Sequence, residues 1–205
     1  MHGDKIVKAG KKLAEADKVL VMIHGRGGSA DDILSLSSYL KVDSFALLAP
    51  QASNHTWYPY SFLMPPVQNE PGLSSALQWL SEIEQDLSTK GFDSEDIYFA
   101  GFSQGACLSL EYAARNAKKY GGIVAFTGGL IGDKLYTENY QGNFEQAPVF
   151  VGSSDPDPHI PVERVHASAE ILKNMNADVT VKVYKDRGHT ISQQEIDLVN
   201  KLIFV

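Results

Sequence analysis

The 205-residue sequence is poor in features that would take it out of the ordinary soluble globular proteins. It has one cysteine, Cys107, which excludes an intrachain disulfide and a cysteine-rich zinc site. No apolar run approaches the roughly 18 residues that a membrane-spanning helix needs. Met1-His2-Gly3-Asp4-Lys5 leads into no apolar core of the kind a secretory leader carries. Concentrated positive charge is missing too. Lysine and arginine total 18 against 25 acidic residues, a formal net charge of −7, and the longest basic clusters are the pairs Lys11-Lys12 and Lys118-Lys119. Nucleic acid and anionic membranes reward a basic patch, so neither is an expected partner. No internal repeat and no linker divides the chain. The expectation is a cytoplasmic protein with one domain over residues 1–205, a monomer or homodimer.

What the sequence does contain is an alternation of apolar runs and amphipathic stretches. Six runs of strand length, at 18–23, 45–49, 97–101, 122–127, 149–152 and 179–184, are rich in Val, Ile, Leu and Phe. Most are continuously apolar, as strands buried on both faces of a parallel sheet are. The last one alternates, with Val179, Val181 and Val183 on one face, which suits an edge. A weak seventh strand is placed at 5–8. Helical patterns fall between the runs, at 31–39, 73–87, 104–116, 161–175 and 193–203. The order predicts an α/β fold: a mostly parallel sheet of six or seven strands with helices on both faces. Residues 51–72 break the rhythm with four prolines, Trp57, Tyr58, Tyr60 and Phe62. So long a connection is functional or disordered, and its aromatic content argues against disorder. It follows a strand C-terminus, where open α/β sheets bind ligands.

Gly101-Phe102-Ser103-Gln104-Gly105 fits G-x-S-x-G. The pattern is weak alone and gains weight from its setting, because a strand run ends at its first glycine and a helical pattern begins after its second. That strand–turn–helix context is what a nucleophile elbow requires. A serine hydroxyl needs a base, and the base needs an orienting carboxylate. Of six histidines, only His159, His166 and His189 follow Ser103. His189 lies in a loop between the last strand and the last helix, at the sheet edge that carries the elbow. His166 falls within a helical pattern, and His159 is adjacent to the acid loop and suited to lining the site. Asp155 and Asp157 both follow the 149–152 strand and both are candidates for the acid. Asp157 is the preferred one. The oxyanion of an acyl-transfer intermediate needs two N–H donors. The residue after the nucleophile, Gln104, supplies one. The loop His24-Gly25-Arg26-Gly27-Gly28 offers the other at Arg26, while His24 itself reads as structural. Cys107 reads as a small buried hydrophobe.

These pieces, together with Asp157-Pro158-His159-Ile160-Pro161 and Gly188-His189-Thr190, occur in the order found in the phospholipase/carboxylesterase group of α/β-hydrolases, which the chain resembles across nearly its whole length. The resemblance implies an α/β-hydrolase fold with Ser103, Asp157 and His189 as the triad. It implies hydrolysis of short to medium acyl esters or thioesters without metal or cofactor. The aromatic stretch from Ala49 to Pro59 is similar to a bacterial esterase branch rather than to the eukaryotic thioesterases. Only about twenty residues separate the 122–127 and 149–152 strands, too few for a large cap domain, so an open site walled by 51–72 is expected. Trp57 is the first choice there for a substrate contact, with anchorage of the loop to the core as the equal alternative. A catalytically silent hydrolase fold used for binding is the rival from another class.

Overall fold

The computed structural model describes residues 1–3 and 5–205. Seven strands form one sheet: β1 (Ile6–Gly10), β2 (Lys18–Ile23), β3 (Phe45–Pro50), β4 (Ile97–Phe102), β5 (Gly122–Phe126), β6 (Pro148–Asp155) and β7 (Asp178–Lys185). Their spatial order is β1-β3-β2-β4-β5-β6-β7. Among the described residues only β1 runs antiparallel to its neighbour, β3. The α-helices are α1 (Ala30–Ser35), α2 (Gly72–Thr89), α3 (Gln104–Arg115), α4 (Val162–Asn174) and α5 (Gln193–Leu202). None of the described helices is long and apolar enough to cross a membrane.

The continuous apolar runs are explained by two cores, one on each face. In β2, Val19, Val21 and Ile23 point into a core shared with α2, α3 and α4. Leu20 and Met22 point into a second, shared with α1 and α5. β4 and β5 divide their side chains in the same way. A strand that feeds two cores has no face left for polar residues. β7 pairs on one side only, with β6, and its half-exposed residues fit the edge position read from its alternation.

Most boundaries shift by a residue or two, and the larger differences from the sequence expectation lie in β6, α1 and β1. β6 continues through Ser153, Ser154 and Asp155, which pair with Val183, Tyr184 and Lys185. The ladder is made by backbone groups, so polar side chains did not end it. The helix expected at 31–39 is a short α1, capped by a Ser29/Asp32 capping box, followed by a 3-10 turn at Leu36–Tyr39. β1 begins at Ile6 rather than residue 5 and extends to Gly10. Between β5 and β6 lies a connection with one short 3-10 turn and no cap domain.

β4 stands at the centre of the sheet, and its C-terminus delivers the elbow. Two close approaches explain the glycines there. A Cβ on Gly101 would sit 2.3 Å from the Gly105 carbonyl oxygen. One on Gly105 would sit 2.1 Å from the Ile23 carbonyl oxygen and 2.6 Å from that of His24. These are backbone atoms that cannot rotate away, so α3 would have to lift off β2. Gly105→Ala is therefore expected to destabilise the protein by about 3 kcal/mol, despite the gain of about 1 kcal/mol that alanine offers within a helix. A urea titration with an unchanged midpoint would contradict this packing argument.

Candidate active site

Ser103 occupies the turn between β4 and α3 with φ 55° and ψ −117°. A positive φ is costly for a residue bearing a Cβ. Neighbours hold it there: the Ser103 N–H donates to the Phe126 carbonyl (2.9 Å), and the Ser103 carbonyl accepts from the Cys107 N–H (3.0 Å). The first of these ties the turn to β5, and the second ties it to the first turn of α3.

The structure brings Ser103, His189 and Asp157 into one hydrogen-bonded chain. Ser103 Oγ lies 2.7 Å from His189 Nε2. His189 Nδ1 lies 2.9 Å from Asp157 Oδ2 and 3.2 Å from Oδ1. The Asp157 side chain is fully buried. Burial alone would raise its pKa. The His159 N–H (2.8 Å), the His189 ring and the Ile160 N–H (2.9 Å) outweigh burial and hold the carboxyl below its ordinary range. An ionised carboxylate only accepts, so Nδ1 of His189 carries the proton. Nε2 is left as the acceptor facing the serine hydroxyl. Asp155 is exposed at the end of β6 and takes no part in this chain. His166 lies on α4, outside it.

The loop that presents His189 is held by residues the sequence reading passed over. Ser154 Oγ accepts from the Arg187 and Gly188 N–H groups (both 3.1 Å). Arg187 stacks its guanidinium on Tyr184, 3.6 Å from the ring centroid. The same group pairs with Glu195 (3.0 Å), which is fully buried, and bonds Ser192 Oγ. Ser192 and Glu195 form the capping box of α5. Ring closure by Arg187, Ser192 and Glu195 thus spans the residues on both sides of His189. The Ser192-x-x-Glu195 spacing is a visible capping signal; the contribution of Ser154 comes from 33 residues upstream and has no local signature.

Arg26 and Gln104 flank the serine. Gly25 lets the loop after β2 close on the elbow: a Cβ there would be 3.4 Å from Ser103 Cβ. Both side chains grip the same piece of the 51–72 segment. Gln104 Oε1 accepts from the Trp57 N–H (2.9 Å), and its Nε2 donates to the Tyr58 carbonyl (2.8 Å). Arg26 donates to Thr56 Oγ1 (2.9 Å) and to the carbonyls of Pro59 (2.9 Å) and Tyr60 (2.6 Å). The wall of the site is thereby fastened to the residues beside Ser103.

Of the two readings of Trp57, the structure fits anchorage of the loop to the core and not the substrate contact. Its ring has no exposure and lies in the core against His24, His2 and Trp79. Its Nε1–H donates to the His24 carbonyl (2.9 Å). A large apolar ring with one satisfied donor is better placed in the core than at the solvent edge. Its neighbours Tyr58, Tyr60, Phe62 and Leu63 line the cavity instead. Trp57→Phe removes the donor and part of the ring, so it is expected to lower stability by about 1–2 kcal/mol with KM for a small ester little changed. A rise in KM at constant melting temperature would restore the substrate-contact reading. His24, buried below, accepts the Ala52 N–H at Nε2 (3.1 Å) and donates from Nδ1 to the Gly25 carbonyl (2.7 Å). Desolvation lowers its pKa, consistent with a neutral structural ring.

The cavity over Ser103 measures about 650 Å³. Besides the aromatic wall it takes in Arg26, Gln104, Ile160, His159 and His189. The His159 ring meets the His189 ring edge to face, at 4.9 Å between centroids. Cys107 touches the floor, with its thiol pushed up to about 12 by burial, so it stays protonated and is no rival nucleophile.

Residues 3–204 match the family model described as phospholipase/carboxylesterase. The chain is similar to a phospholipase/carboxylesterase from Dyadobacter fermentans of known crystal structure, at 54% identity and a TM-score of 0.98, covering 100% of this chain and 98% of that one. It is 28% identical to acyl-protein thioesterase 1 of Kluyveromyces lactis over 96% of this chain and 95% of that protein. The match to acyl-protein thioesterase 1 of Gibberella zeae is 30% identical and spans 67% of this chain and 60% of that protein, less than two thirds of the relative.

Proposed function

The chain belongs to the phospholipase/carboxylesterase family of α/β-hydrolases, and we propose that within it the protein is a serine hydrolase that cleaves carboxylic esters of short to medium acyl groups. The reading is carried by one observation, the chain of contacts from Ser103 Oγ through His189 to the buried Asp157. His189 Nε2 takes the hydroxyl proton as Ser103 Oγ attacks the acyl carbonyl. Asp157 fixes the ring tautomer and stabilises the imidazolium. The main-chain N–H groups of Arg26 and Gln104 receive the oxyanion. The imidazolium returns its proton to the departing alcohol, leaving an acyl-serine. His189 then deprotonates a water that attacks this ester, and the acid leaves with Ser103 restored.

Thioester cleavage is the second reading, favoured by the names of the curated relatives. It uses the same groups, since a thiolate is a better leaving group than an alkoxide. Comparing kcat/KM for 4-nitrophenyl butyrate with that for a butyryl thioester of a peptide cysteine separates the two. Hydrolysis of the oxygen ester at the higher kcat/KM supports the first reading. Preference for the thioester supports the second. Turnover of neither by folded protein would favour a binding module and overturn both.

A further inference from the structure

Resting on the serine hydrolase reading, we propose that the substrate carries a carboxylate, held in the cavity by the guanidinium edge of Arg26. Two observations lead there. The first is the charge of the cavity. In a chain with a net charge of −7, the residues lining the space over Ser103 include one arginine, Arg26, and no aspartate or glutamate. The nearest acid in the site, Asp157, lies behind His189 and is engaged by that ring and two N–H groups.

The second is the donor count of Arg26. A guanidinium has five N–H donors. Nη1 uses both of its hydrogens, on Thr56 Oγ1 and the Pro59 carbonyl, and Nη2 uses one, on the Tyr60 carbonyl. Those partners are neutral, and among the described residues no carboxylate pairs with Arg26. The donors left over are the Nε–H and one Nη2–H, one on each of two adjacent nitrogens. Two such donors match the two oxygens of a carboxylate. The three bonds already made hold the guanidinium in place, so little side-chain freedom is lost when an anion binds. His159 lines the same cavity.

The test compares ester pairs that differ by one charge. With the carboxylate on the acyl side, the pair is mono(4-nitrophenyl) glutarate and 4-nitrophenyl pentanoate. With it on the leaving group, the pair is 4-carboxyphenyl butyrate and 4-carbamoylphenyl butyrate. Rates are corrected for spontaneous hydrolysis. In at least one pair, kcat/KM is expected to favour the anion about five- to tenfold at low ionic strength, a modest figure because Arg26 is exposed and water screens it. Added salt shrinks the preference. Arg26→Gln, which keeps the main-chain N–H, brings the ratio close to one, and Arg26→Lys leaves part of it. The ratio cancels any loss common to both esters from loosening the 56–60 wall. Equal or better turnover of the neutral ester in both pairs would overturn the proposal, as would a preference that survives Arg26→Gln. Failure of all four esters, with Ser103 unreactive towards a fluorophosphonate, would remove the serine hydrolase reading itself.

Discussion

Ser103→Ala is expected to lower kcat for 4-nitrophenyl butyrate by about 10⁴- to 10⁶-fold, with the fold intact. The size follows from how triad members act. In the proposed mechanism they work as a unit, so losing Ser103 removes the acyl-enzyme route entirely, and what remains is the contribution of oxyanion donors and binding. The stability side is equally specific. The Ser103 side chain makes one hydrogen bond, to His189, while the contacts that hold its turn are made by its backbone. Removing the hydroxyl leaves those contacts in place, and the melting temperature should shift by no more than a few degrees. Retention of wild-type turnover would rule out the mechanism. Loss of turnover together with loss of folding would be resolved by Ser103→Cys, which keeps a side-chain nucleophile at the same position.

The second large effect concerns Asp157. Asp157→Asn is expected to lower kcat by about 10⁴-fold, the cost of a wrong histidine tautomer, and the surroundings of the carboxylate explain why. Its Oδ1 accepts the His159 and Ile160 N–H groups. An asparagine must place its carbonyl oxygen there, because its amide would meet two donors. The NH₂ then takes the place of Oδ2 and donates to His189 Nδ1. The ring proton moves to Nε2, and the atom that should accept the serine proton becomes a donor. Stability should fall only modestly, since the two backbone N–H groups keep their acceptor. Kinetics of the purified variant on 4-nitrophenyl butyrate, with its circular dichroism as the control for folding, measure this. A loss of less than tenfold would mean that Asp157 does not set the tautomer.

Much of the frame was legible in the sequence because it depends on local pattern. Continuous apolar runs mark β2, β4 and β5 since each feeds two cores. The elbow is legible because two crowded approaches allow only glycine on either side of Phe102-Ser103-Gln104. Chain order and loop position single out Ser103 and His189 and narrow the acid to Asp155 or Asp157, and the family resemblance favours Asp157. Their assembly by distances of 2.7 and 2.9 Å is a property of the fold.

What was not legible lies in side chains that act across the sequence. Trp57 sits within an otherwise cavity-lining stretch, and nothing in the one-dimensional pattern tells which aromatic of 57–62 turns inward. The clamp by Arg26 and Gln104 joins residues 30 to 47 positions apart. The sequence marks Arg26 as a main-chain donor and leaves its side chain between solvation and an anionic substrate group, because the partners that hold it lie 30 to 34 residues away. Ser154 falls beyond the apolar run at 149–152, so the pattern leaves it outside the strand. It lies instead at the paired end of β6 and holds the His189 loop through its hydroxyl.

The most direct test is covalent. Folded protein treated with a fluorophosphonate, digested with trypsin and analysed by mass spectrometry should carry one adduct per chain, on the peptide of residues 91–115 and at Ser103 within it. His189→Ala should label far more slowly, and Ser103→Ala not at all. An unlabelled folded protein, or an adduct on another residue, would contradict the assignment of Ser103 as an activated nucleophile.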